Sequence, residues 1–408
     1  MEKIIKILIF ASGLFAGFSW LHIGELKLLN VLCSLLFIVF ILSCKITMNK
    51  VPLFLFFIGM ACYDAVLGSI LGTLDSAGAI AIVRNLIVEI IFVYMTVYYS
   101  KTTDSEKDMI FDFMAMSISA YNTLILIIFF FFPMYKSDIV LSDKHGDRLC
   151  GYLSDNPNAY ALVCLLGALI VLHRLLKKDT IFRWIITVVN IITIILIQSR
   201  AAYFALALGF AFYFYYLPHK KVILKRMLFI MLLIPFIGLS VAKDFYGRAE
   251  HVINSIGLSR FSSAGGEAGA ITSVGVDDFK DERMNLIEAS LETIRVHPMG
   301  IGSANQVDII EAVTGVDLVS HNLFVGYVLT YGVVFGALWI FLIFLMFSKT
   351  FFLFWHNKIS YESPFLLSSG VLLGIFCYLF FHILNWFFIW IVLAIHCSYL
   401  FPQKRITA

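Results

Sequence analysis

Charge is what this sequence has least of. Only 14% of its 408 residues are Asp, Glu, Lys or Arg, against 61% that are hydrophobic. Soluble domains carry about 25% charged and about 45–50% apolar residues. That scarcity excludes an ordinary cytosolic enzyme, a disordered chain and a nucleic-acid binder. The net charge of +3 supplies no global basic field for a polyanion. Cysteine is present seven times, but no CxxC pair occurs, so neither a zinc site nor a disulfide framework is expected. Cys33, Cys44, Cys62, Cys164, Cys377 and Cys397 lie in or beside apolar runs, and only Cys150 sits in a polar stretch. They read as small hydrophobic filler. HExxH, GxSxG and P-loop motifs are missing. The GIGSAN run at 300–305 is not a GxGxxG and follows no strand. Asp277, Asp278, Asp281 and Glu282 stand close together, but their spacing is not that of a cation loop.

Long apolar runs are what the chain has in abundance. Its mean hydropathy is +0.91, and 40 Phe and 18 Tyr suit lipid contact and interfacial belts. A membrane helix needs about 20 mostly apolar residues. Twelve runs qualify, at about 4–20, 26–44, 51–72, 76–99, 109–133, 157–173, 181–198, 200–217, 223–242, 322–347, 365–382 and 384–402. The first has no small-x-small cleavage site and is kept as a span rather than a signal peptide. With no strand-like alternation and no internal repeat, the expected fold is an all-α polytopic membrane bundle, one integral domain over 1–408.

Lysine and arginine fix the orientation. With the N-terminus in the cytoplasm, the inner segments hold 18 of the 30 Lys and Arg, at least two in every connection. Both termini then fall inside. Two outer connections are long, about 134–156 and about 243–321, the second between spans nine and ten. Within it, FSSAGGEAGAITSVG (261–275) reads as a flexible stretch. Met284, Ile287, Leu291 and Ile294 then recur at helical spacing, which predicts an amphipathic helix over about 281–296. Asp281 and Glu282 suit its start, and Pro298-Met299-Gly300 ends it. Such a helix beside a bilayer lies on the interface or caps a cavity.

Four ionisable residues on the outer side call for explanation: Arg148 before span six, Arg200 in the tight turn between spans seven and eight, Arg283 at the start of the loop helix, and His321 with Asn322 at the start of span ten. Each has an ordinary explanation as a solvated, snorkelling or helix-end residue. Together they gain weight, because the topology puts all four on one side. Two more charges lie inside the bilayer, Asp64 in span three and Arg84 in span four, both ten residues from Leu74 at the intervening turn. At about 1.5 Å per residue they share a depth of about 15 Å. They read either as an ion pair or, for Arg84, as the lining of an outward-open cavity that meets an anionic head group.

The order of the short motifs is informative. Arg148-x-x-Gly151 precedes Asn156-Pro157-Asn158. Ser199-Arg200 follows at an outer turn. Arg283 and His297-Pro298-x-Gly300-x-Gly302 then follow in the large loop, and His321-Asn322 at the next span. This order resembles the O-antigen ligase/polymerase superfamily, which includes the Wzy-type polysaccharide polymerases of bacterial inner membranes. The resemblance covers about 148–340; the earlier part matches only as generic membrane helices. It implies a GT-C-like fold of about twelve spans and a periplasmic large loop. It also implies oligosaccharide repeat units on undecaprenyl diphosphate as substrate, with no cofactor, nucleotide sugar or metal.

The residue chemistry fits those implications. A polyprenyl diphosphate has an apolar tail for the bilayer and an anionic head for arginines at the outer rim. Diphosphate is a good leaving group, so charge neutralisation outweighs protonation. The acceptor hydroxyl benefits from a base, which a neutral histidine supplies. His321 is therefore the expected base, with Arg200 and Arg283 completing the catalytic set. Arg148, Arg200, Arg283 and Arg84 are the expected diphosphate ligands, supported by Asn158, Asn322 and Ser199. The expected activity joins repeat units into O-antigen or capsular polysaccharide at the outer face of the inner membrane, with a chain-length regulator as a further candidate partner. The alternatives are a ligase transferring glycan to lipid A core, a transporter or flippase of the same lipid-linked oligosaccharide, and a non-enzymatic assembly protein. A transporter would place charges along a midplane path between related halves, a pattern this sequence does not show.

Sidedness is directly testable. Alkaline phosphatase fused within 243–321 should be active, and green fluorescent protein fused after Ala408 should fluoresce. The opposite pair of results would invert the topology.

Overall fold

In the computed structural model the chain forms two compact units, one of residues 1–217 with 290–408 and one of 218–289. The structure describes residues 2–18, 22–23, 26–43, 51–72, 74–143, 146–152, 157–178, 180–216, 277–303, 306–315, 322–356, 359–378 and 387–401. The expected span 223–242, the stretch 261–275 and His321 lie outside these.

Helices dominate. In chain order they are α1 Glu2–Leu14, α2 Leu28–Ser43, α3 Val51–Ile70, α4 Ser76–Tyr99, α5 Asp104–Phe131, α6 Pro157–Lys177, α7 Ile181–Ile197 and α8 Arg200–Tyr216. After these come α9 Asp277–Val296, α10 Gln306–Thr314, α11 Leu323–His356, α12 Pro364–Cys377 and α13 Phe387–Leu400. Among the described residues, five helices are long and apolar enough to cross a membrane: α3, α4, α5, α6 and α11. Shorter apolar helices cover parts of α2, α7, α8, α12 and α13. The chain is thus a polytopic helical membrane protein, and eleven of the twelve expected runs carry a helix.

Local chemistry sets the ends. Asp75 caps α4 by accepting from Gly78 N at 2.7 Å, and Thr103 caps α5, whose first turn carries Asp104 and Glu106. Side-chain caps of this kind and acidic first turns satisfy orphan amides and the helix dipole. The α5 helix therefore begins five residues before the apolar run does. Ser363 caps α12, with Pro364 in its first turn.

The sequence pattern contained no strand, but two short antiparallel pairs occur: β1 (His22–Ile23) with β2 (Leu26–Lys27), and β3 (Val140–Asp143) with β4 (Gly146–Leu149). Strands this short leave too little alternation to read.

Burial divides the helices. In α6 every residue from Pro157 to Leu176 except Asn158 is buried, and so are Phe387–Ser398 of α13. By contrast α3 and α11 present Ile70, Val334 and Phe344 outward, each more than two-thirds exposed. Bare aliphatic surface of this kind is ordinary against lipid.

Polar side chains join the interior helices. Asn122 of α5 accepts from Tyr160 of α6 at 2.9 Å and donates to Asn190 of α7 at 2.9 Å, and Asn190 donates to Ser119 at 2.8 Å. At the opposite end from β4, Arg174 of α6 donates to Asp108 and Asp112 of α5, both at 2.8 Å. Hydrogen bonds between membrane helices are worth about 0.6 kcal/mol on average and up to about 2.

The most demanding junction involves α11. Its path breaks at Gly332, where φ is +76° and ψ is 175°. The break is filled by residues 298–302: Val333 N donates to Pro298 O, Ile301 N to Leu329 O and Gly302 N to Thr330 O, all at 2.9 Å. The carbonyls of Leu329 and Thr330 would accept from residues 333 and 334 in an unbroken helix. A Cβ at Gly332 would lie 2.4 Å from the Met299 carbonyl, and one at Gly300 would lie 2.4 Å from Gly332 N. Gly332→Ala should therefore lower the thermal midpoint in detergent, with a cost on the order of 1–3 kcal/mol from the φ/ψ alone. Gly59→Ala, where a Cβ meets nothing within 4 Å, should leave the midpoint unchanged or raise it.

Candidate functional site

The outer-side residues converge on Asn158. The β3–β4 hairpin sets Arg148 opposite Leu141. It is anchored by Cys150 N and Gly151 N, which both donate to Ile139 O at 2.8 and 3.0 Å. Gly151 turns the chain at φ +61°, where a Cβ would lie 2.8 Å from the Tyr121 hydroxyl that binds Tyr152 N. Partial desolvation, with Asp138 and Tyr135 adding to it, raises the Tyr152 phenol above its ordinary value.

From this anchored strand Arg148 donates through Nη2 to Asn158 Oδ1 and through Nε to Ile197 O, both at 3.3 Å. Ser199 Oγ lies 3.4 Å from Asn158 Oδ1 and 3.2 Å from the Tyr378 hydroxyl, which donates to Asn158 O at 2.9 Å. Four segments thus meet: β4, the start of α6, the α7–α8 turn and the end of α12. All come from ends that the Lys/Arg count puts outside. The guanidinium has five N–H bonds in a fixed fork, and two are used. Among the described residues the other three meet no acceptor.

The turn that carries Ser199 is tight. Gln198 adopts a left-handed conformation, φ +57° and ψ +38°, and closes α7. Tyr203 reaches back to Ile195 O at 2.9 Å. Arg200 is the first residue of α8, directly after this turn.

A second polar cluster lies where 298–303 enters the bundle. Asp64 of α3, 3% exposed, accepts from Ser303 N at 2.8 Å and from Ser303 Oγ at 2.6 Å. Tyr63 donates to Met299 O at 2.5 Å, and Gln306 donates to Gly302 O at 2.6 Å and to Thr330 Oγ1 at 2.8 Å. Glu89 of α4 is buried within electrostatic range of Asp64.

Set against the sequence expectations, the structure brings Arg148, Asn158 and Ser199 together. Asn322 serves α11, its Oδ1 accepting from Phe324 N and Val325 N at 3.0 and 3.2 Å. Arg283 lies in α9, which spans the expected amphipathic stretch and starts four residues earlier. The side chains of Arg200 and Arg283 are outside the described residues, as is His321 altogether. The Asp64–Arg84 ion pair does not form: Asp64 is taken by Ser303, and Arg84 is exposed on α4 with no described carboxylate against it. Tyr378 and Ser303 were missed. The topology had put Tyr378 at the outer end of span eleven, where a tyrosine reads as an interfacial anchor.

A helical membrane protein with an arginine and amide cluster at one end of its bundle is the class these features define. Residues 185–340 match the family described as O-antigen ligase, which supports the O-antigen ligase/polymerase superfamily for this chain. That interval includes Ser199, Arg200, Arg283, the Pro298–Gly302 segment, His321 and Asn322; Arg148 and Asn158 precede it. No curated protein and no solved structure matches the chain.

Asp64 gives a test of the second cluster. Asp64→Ala strands two half-buried Ser303 donors and should cost about 1–3 kcal/mol of stability. Asp64→Asn can keep both contacts by reversing one of them, so its detergent melting curve should stay close to wild type.

Proposed function

We propose that the protein is a polysaccharide polymerase. It joins oligosaccharide repeat units carried on undecaprenyl diphosphate, at the outer face of a bacterial inner membrane and with no metal or nucleotide sugar. The observation that carries this reading is the convergence of Arg148, Asn158 and Ser199 at one end of the bundle, with Arg200 on the next residue.

In the proposed reaction an acceptor sugar hydroxyl attacks the anomeric carbon of the donor. The new C–O bond forms as the bond to the diphosphate breaks. The hydroxyl proton passes to His321, and the polyprenyl diphosphate leaves with the bonding pair. Arg200 and Arg283 bind that diphosphate. Arg148 assists with its remaining N–H bonds, held by Asn158, and Arg84 meets the same anionic lipid from α4. Guanidinium suits this role because its planar fork matches phosphate oxygens in pairs and never loses its charge. The bilayer is the second partner, since the donor's isoprenoid tail never leaves it. A chain-length regulator would act from outside the chemistry.

A second reading, ligation of the glycan to lipid A core, uses the same donor and is favoured by the description of the matched family as O-antigen ligase. A deletion strain separates the two. Loss of a polymerase leaves single repeats on lipid A, whereas loss of a ligase leaves long chains on the carrier and none on lipid A. If the protein transported the donor, purified protein in liposomes would lengthen no glycan supplied on the accessible side.

His321→Ala should lower chain extension by about 10²- to 10⁴-fold, the usual worth of a general base. Arg200→Lys should fail along with Arg200→Ala, because lysine cannot grip bidentately. Product sizing on a polysaccharide gel reads both. An unchanged ladder in His321→Ala would remove the base, and full activity in both Arg200 variants would remove Arg200.

A further inference from the structure

We propose that Tyr378 is a positioning residue for donor binding: through its hydroxyl it holds the turn at Ser199 against Asn158 and so sets the Arg148 guanidinium that receives the lipid diphosphate. This rests on the function proposed above.

Proton counting carries the argument. The Tyr378 hydroxyl has one proton, and its donor geometry is to Asn158 O at 2.9 Å. The 3.2 Å contact with Ser199 Oγ must then use the serine proton and a lone pair on the tyrosine oxygen. The relay therefore runs from Ser199 to Tyr378 to the Asn158 carbonyl. Both side chains are buried, Tyr378 at 6% and Ser199 at 3% exposure, so water offers no ready substitute for either bond. An unmade buried bond costs more than a made one gains.

Removing the hydroxyl leaves Ser199 one described alternative, Asn158 Oδ1 at 3.4 Å. That oxygen already receives Arg148 Nη2 at 3.3 Å. Serine and guanidinium would then compete for one amide oxygen, and Arg148 would lose a constraint on its fork. The turn is poorly placed to hold itself, because Gln198 sits in the left-handed region at φ +57°. A non-glycine residue there costs on the order of 1–3 kcal/mol and persists only when its surroundings hold it. The backbone N–H of Tyr378 closes α12 on Gly374 O and Ile375 O at 3.1 and 3.2 Å, so the hydroxyl is presented from a helix end. The described partners of the relay are Ser199 and Asn158, so Tyr378 is assigned to holding the donor site.

The test is Tyr378→Phe in purified full-length protein reconstituted in liposomes with a lipid-diphosphate-linked repeat unit. KM for that donor should rise about ten-fold, with kcat within about two-fold of wild type. Direct binding of the same lipid should weaken in parallel. In the Ser199→Ala background Tyr378→Phe should add little, because the same relay is already cut. A merely structural role would instead reduce the active fraction, lowering kcat and leaving KM and affinity alone. An unchanged donor KM and affinity in Tyr378→Phe would overturn the proposal, as would fully additive effects in the double variant. Wild-type protein that neither binds nor converts the donor would sink the proposed function itself, a result distinct from a working enzyme that tolerates phenylalanine.

Discussion

A peptide group that enters hydrocarbon must bring its hydrogen-bond partner with it. That constraint governs the bundle wherever the chain is not helical, and it is most severe where 298–302 meets α11. Six backbone groups are at stake there, and each finds its partner across the junction: Pro298 with Val333, Ile301 with Leu329, Gly302 with Thr330. Two strands of irregular backbone can lie this close only if neither carries a Cβ at the crossing, which is why Gly300 faces Gly332. Gln306, Tyr63 and Asp64 close the remaining polar groups of the segment. The Pro-x-Gly-x-Gly spacing is therefore legible as architecture. It ties the segment between α9 and α10 to α11.

The cluster around Asn158 solves a different problem. On the proposed function an arginine that receives a phosphate cannot be consumed by a protein carboxylate, yet it cannot be left loose either. Among the described residues Arg148 is held by neutral acceptors, one amide oxygen and one backbone carbonyl. Arg174, near the other end of α6, shows the contrasting case: two aspartates take its guanidinium fully into an ion-pair network. The same residue type is thus a structural tie at one end of α6 and, on β4 beside the helix's other end, is held among the described residues by neutral groups alone.

What the sequence revealed divides along physical lines. Runs of about twenty apolar residues are additive signals, and helices stand on eleven of the twelve. Ends are less legible, because caps and crossings set them. The α1 helix stops at Leu14, and Gly17 then meets Ser117 Oγ through its amide at 2.8 Å. The α11 helix continues to His356, past the apolar run. The nine-residue α10 was too short to announce itself. In the candidate site, Arg148, Asn158 and Ser199 were legible from motif order and sidedness. Tyr378 and Ser303 were not, since a hydrogen bond between residues 179 or 239 positions apart leaves no periodicity in either segment. His396 is similar: its ring joins Thr350 at 2.8 Å and Ser368 at 3.1 Å, tying α11, α12 and α13 together, yet nothing around it in the chain marks it.

Arg84 completes the electrostatic picture by being out of place. Eight residues into α4, it stands about 12 Å below the outer helix end at 1.5 Å per residue. It is exposed beside Ile80 and Val83, which are 68% and 55% exposed. A bare guanidinium at the centre of a bilayer costs about 2.5–3.5 kcal/mol on insertion scales, and snorkelling recovers part of that. Among the described residues no carboxylate offsets the remainder. In the proposed reaction the donor is itself a lipid and reaches the bundle sideways through the membrane. A cation on the outward face of α4 would then meet the donor's diphosphate before the arginines at the bundle end do. The same placement that rules out an ion pair with Asp64 would, on the proposed function, let Arg84 serve a substrate that arrives from hydrocarbon rather than from water.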